Sequence, residues 1–104
     1  MADMQTAEQS AALSADAQRL EDVRVNLRQV LNCLVGRQGP EYRRSAGDAC
    51  SGSGVVRELP EGSVNKIRVE KAILLAAVGV TFHDFDTAHF TAQAVHAVLL
   101  EGTR

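Results

Sequence analysis

An all-α fold is what this chain predicts, and three observations carry the prediction. Helix formers dominate the composition, while aromatic residues make up only 4% of it. Residues 6–35 run without a proline or a glycine. The stretch from Ala72 to Leu100 is apolar at helical spacing, and its only formally charged side chains are Asp84 and Asp86. The expected architecture is one domain of 104 residues: a long amphipathic helix over about 6–35, a flexible Gly-rich loop over about 36–62, and a C-terminal hairpin of helices over about 64–78 and 84–101.

The first helix is expected to follow a frayed segment, residues 1–5. Thr6 is placed to cap it, with Gln9 as capping-box partner and Gly36 as the residue just past its end. Leu13, Leu20, Leu27 and Leu34 recur at sevens, and Val23 and Val30 follow a leucine by three, which is an a/d heptad seam. Such a seam serves either a dimerising coiled coil or packing within one chain. A basic zipper is excluded, because no Arg or Lys precedes Leu13.

Six of the eight glycines and both prolines fall between Gly36 and Gly62, the signature of a loop. Within it, residues 41–44 suit one helical turn and residues 55–59 an extended segment. Cys33 and Cys50 are too few for a disulfide framework, so free thiols are expected, with Cys33 buried and inert in the last turn of the helix.

Ser63 is placed to cap the second helix, which pairs Lys66 with Glu70 and stops at Gly79, after which Val80 turns back into the core. Asp84 or Asp86 then starts the last helix. Phe85, Ala92, Val95 and Leu99 follow one face of it, and Phe90, Ala94, Ala97 and Val98 another. A helix apolar on two sides has too few neighbours in a three-helix chain. Either a second copy or a partner protein is therefore expected to cover it. The interface candidates are Phe82, Phe85, Phe90, Val95, Val98 and Leu99, with Leu20 and Leu27 on the first helix.

Chemistry is excluded class by class. The net charge of −2, together with a last helix that lacks Arg, Lys and Asn, leaves nothing to grip nucleic acid. His89 and His96 stand seven apart, too wide for one metal ion even with Asp86 beside them, and suit the border of an interface instead. No phosphate-binding glycine loop or serine nucleophile motif occurs, so neither an enzyme nor a cofactor is expected. The N-terminus has no basic, apolar leader, and the longest apolar run, Ala72–Val80, is too short to span a membrane. A cytoplasmic protein is expected.

In length and helical organisation, including the apolar segment Ala72–Leu100, the chain resembles the small quorum-sensing anti-activators of the QslA type. That resemblance implies a helical homodimer that binds the ligand-binding domain of a LuxR-type transcription factor and blocks its dimerisation. Phe82, Phe85 and Phe90 would then lie near an interface. Two other non-enzymatic classes fit the same residues: a phage- or host-derived inhibitor of a nuclease or defence complex, and a structural or chaperone-like helical subunit.

Overall fold

The first thirty-five residues do not form one helix. In the computed structural model, which describes residues 2–47 and 50–103, they form α1 (Ala2–Asp16) and α2 (Leu20–Val35), folded back on one another. Asp3 lies beside Cys33, and Ser14 beside Val23, so the two run antiparallel. The reversal at residues 17–19 uses neither glycine nor proline. Ser14, wholly buried, donates its hydroxyl to the Val23 carbonyl at 2.7 Å, and the Ala17 amide closes on the Ser14 carbonyl at 3.2 Å.

Length explains why the unbroken helix loses. Residues 6–35 in one helix would extend about 45 Å, whereas the longest dimension of the protein is 36 Å. Folding back instead buries a small-residue face of α1, made of Met4, Ala7, Ala11 and Ala15. The helix also starts at Ala2, four residues before the expected cap, and the Thr6 hydroxyl donates back to the Ala2 carbonyl. Of the expected frayed segment, Met1 lies outside the described residues.

The remaining elements are a 3-10 turn at Arg44–Ala46, the single helical turn α3 (Val55–Glu58), α4 (Val64–Gly79) and α5 (Phe85–Thr103). The described residues are thus 73% helix, with no strand among them. The extended segment expected at residues 55–59 is helical, because Val55 needs to turn inward, where it is fully buried. Ser63 caps α4 as expected, accepting the Lys66 amide at 3.2 Å. Lys66 pairs with Glu61, not with Glu70.

Helices α1, α2, α4 and α5 form an up-down-up-down bundle. The carbonyl of Ala15 meets His89 and the carboxylate of Glu8 meets His96, so α5 runs antiparallel to α1. Arg24 near the start of α2 reaches Val80 just past the end of α4, so those two are antiparallel as well. The core collects Leu27, Leu31 and Leu34 from α2, Val69 and Ala76 from α4, and Ala92, Val95 and Leu99 from α5. Helix α5 therefore is central, as two apolar faces require. The cover it needs comes from α1 of its own chain.

The expected flexible loop is tethered in its described residues. Asn32 is wholly buried and spends its amide on that loop: it donates to the Arg43 and Gly47 carbonyls, both at 2.8 Å, and accepts the Arg43 amide at 2.9 Å. Cys33 and Cys50, expected as free thiols, are joined in a disulfide across a Cα–Cα distance of 5.3 Å. Gly36 and Gly54, both at positive φ, let the two backbones touch. A Cβ on Gly36 would stand 2.6 Å from the Gly54 nitrogen, and one on Gly54 2.6 Å from the Val35 carbonyl oxygen. Asp3 completes the closure by accepting both the amide and the hydroxyl of Ser51.

Asp84 is the residue that starts α5. Its carboxylate accepts the Thr87 hydroxyl at 2.5 Å and the Thr87 amide at 2.9 Å. Those two bonds, the hydroxyl first, hold its pKa below the ordinary carboxylate value of 3.8. A carboxyl depressed on folding stabilises above its unfolded pKa, and that contribution disappears as pH falls through the folded value. Asp84→Ala is therefore expected to lower the urea midpoint at neutral pH and to differ little from the parent at about pH 2. An equal deficit at both pH values would show that the carboxylate charge has no part in the cap.

Candidate functional site

Of the eight residues expected at an interface, the fold closes three inside. Leu27, Val95 and Leu99 are fully buried, and Val23, Leu27, Val30 and Leu34 of the heptad seam pack within the chain. The seam is thus the inward face of α2 and no zipper. Leu20, Phe82, Phe85 and Val98 are half-buried against the core. Phe85 also stacks on the ring of His89, with centroids 5.0 Å apart. Phe90 alone of the eight stands out, 66% exposed.

The histidines are internal fasteners rather than border residues of an open face. The ring Nε2 of His89 donates to the Ala15 carbonyl at 2.8 Å, and that of His96 to the Glu8 carboxylate at 2.9 Å. Their spacing of seven places both on the side of α5 that meets α1. Among the described residues, no three His, Cys, Asp or Glu side chains come together as metal ligands. Cys33 carries no thiol, being half of the disulfide.

What the fold leaves open is a face of α4. Its inward side is Val69, Ala72, Ala76 and Gly79, where α4 approaches its neighbours so closely that a Cβ on Gly79 would stand 2.8 Å from Leu27 Cδ1 and 2.9 Å from Thr91 Cγ2. The opposite side carries Val64, Ile67, Leu74 and Val78, between 45% and 68% exposed. With Lys71 they occupy positions 64, 67, 71, 74 and 78, an a/d file on the outside of the bundle. The sequence contained that spacing. It was hidden because residues 73–78 are apolar all round the helix, so no single face stood out.

Among the described residues no other helix covers this file, and the net charge of the chain is small. Chemically the face can exclude water against another apolar surface. No helix among the described residues is long and apolar enough to cross a membrane. Compared with known proteins, the chain matches no family model, no curated protein and no solved structure.

Proposed function

We propose that this is a non-enzymatic protein-binding regulator whose working surface is the outer face of the α4–α5 hairpin. One observation carries the reading: Val64, Ile67, Leu74 and Val78 form an exposed apolar file on a well-packed helix, and Phe90 stands exposed on the next one. Full burial of such a side chain from water is worth roughly 1.5–3 kcal/mol, and these, about half exposed, forgo a corresponding share. A partner that presents an apolar helix recovers it.

A second copy of the chain is the occupant that the order of residues favours. Read from either end, the file is apolar, charged, apolar: Val64 and Ile67, then Lys71 with Glu70 on its flank, then Leu74 and Val78. Laid antiparallel about a two-fold axis between residues 70 and 71, Ile67 opposes Leu74, Val64 and Val78 come together at the two ends, and Glu70 comes beside the Lys71 of the other copy. A self-complementary patch is what a two-fold interface needs.

A narrower form of the same reading is inhibition of a LuxR-type quorum-sensing activator by blocking its dimerisation. Its support is the length and all-helical make-up of the chain. The Cys33–Cys50 disulfide weighs against it, because disulfides persist in oxidising compartments and a transcription factor works in the reducing cytoplasm.

Leu74→Asp tests the surface. The side chain is 68% exposed, so stability should change by no more than about 0.5 kcal/mol. Sedimentation of the parent is expected to show a concentration-dependent dimer, and the variant is expected to weaken it about tenfold or more. Phe90→Asp, beside it, reports whether a partner protein retained from host lysate also needs α5. A parent protein that stays monomeric and retains no partner, or one whose associations survive both substitutions, would overturn the reading.

A further inference from the structure

Between α2 and the residue that follows α4 lies a cavity lined by none of the exposed apolar residues of the α4 file. It is open to solvent and offers about 480 Å³ between Leu20, Arg24, Val25 and Arg28 of α2, the Ser45–Ala46 turn, and Val80. That volume falls in the range of small-molecule sites. Arg24 and Arg28 are four residues apart, so both guanidinium groups leave the same side of the helix.

The hydrogen bonding of the two arginines is incomplete. Arg24 donates from Nε to the Val80 carbonyl at 3.0 Å, which anchors the group at the cavity wall with both Nη nitrogens still to be used. Among the described residues, no hydrogen bond or ion pair engages the Arg28 guanidinium, although the residue is half-buried. A planar fork of donors, partly withdrawn from water, is matched by an oxyanion that accepts it bidentately. The apolar part of the lining is Val25, 46% exposed to the outside, together with Leu20, Ala46 and Val80.

Charge selects among oxyanions. Glu21 also lines the cavity, and its ion pair with Arg19, at 3.8 Å, is exposed and loose. Two arginines and one carboxylate make a lining of charge +1, which suits a monoanion and disfavours a dianionic phosphate. We propose that this cavity binds a small amphiphilic carboxylate, its head held by Arg24 and Arg28 and its hydrocarbon body laid on Val25, Leu20 and Val80.

The test is a calorimetric titration of the full chain with octanoate, octan-1-ol and inorganic phosphate, on the parent and on Arg28→Gln. Because Arg28 holds no partner among the described residues, the variant is expected to keep its structure, which its circular dichroism and melting temperature verify. Octanoate is expected to bind saturably at one per chain, with octanol at least tenfold weaker and phosphate weaker still. Arg28→Gln is expected to weaken octanoate about tenfold and to leave octanol unchanged. The backbone amides of Val25 and Val80 should shift in the NMR spectrum as octanoate is added. Octanol binding as well as octanoate, phosphate binding better, an unaffected variant, or no saturable binding at all would each overturn the assignment.

Discussion

Leu27→Ala is expected to lower the unfolding free energy by about 3–4 kcal/mol, while Leu13→Ala, a member of the same heptad file, should change it by about 0.5 kcal/mol or less. Both are leucines on long helices near the N-terminus, and an unbroken zipper would treat them alike. The fold does not: Leu27 is fully buried, with its Cδ1 in the cleft where α2 meets Gly79 of α4, and Leu13 is 61% exposed. Removing three carbons from the first leaves a cavity that three neighbouring helices cannot collapse without moving. Removing them from the second exposes less hydrocarbon to water. Urea unfolding at neutral pH, read by circular dichroism, measures both. Similar losses at the two positions would mean that Leu13 and Leu27 do share one interface, and that the reversal at residues 17–19 is wrong.

That contrast shows where the sequence was readable. Period and composition identified helices, the Ser63 cap, the Asp84–Asp86 start of the last helix, and the glycines that end α2 and α4, because each depends on residues close in sequence. The break in the first helix depends on something else. Ala11 precedes Leu27 by sixteen residues, which on one helix places it about 160° away from the leucine file. The small face of Met4, Ala7, Ala11 and Ala15 was therefore a second stripe out of phase with the first. Two stripes on opposite sides are what two helices folded face to face would write. Small residues give a weak apolar signal, so the leucines dominated the reading.

The candidate surface was legible in kind but mostly not in place. More apolar surface than the chain can bury was expected, and an exposed apolar file exists. That file lies on α4 and not on α5, since α1 folds over one apolar face of α5. Phe90 survives as a candidate because it points away from that contact. The two arginines of the cavity were also invisible in sequence. Their site needs Val80 and the Ser45–Ala46 turn, which are brought to α2 only by tertiary structure.

Asn32→Ala should cost about 2–4 kcal/mol, since one substitution strips three backbone groups of their partner. Cys50→Ser opens a covalent loop with a sequence separation of 17, and that is expected to cost about 3 kcal/mol. The informative quantity is the pair. Both residues hold the same segment against the end of α2, Asn32 through Arg43 and Gly47, and the disulfide through Cys50. Once either tether is cut, the segment retains the Gly36–Gly54 contact and the Asp3–Ser51 bonds, but it pays more entropy to remain in place. The second cut then removes contacts already partly lost. The double variant is expected to fall short of the sum of the single losses by about 1 kcal/mol or more. Additive losses would mean that the two tethers act independently, and that residues 36–54 do not detach as one unit. The same substitutions should leave octanoate binding weaker, because Ser45 and Ala46 line the cavity and belong to the tethered segment.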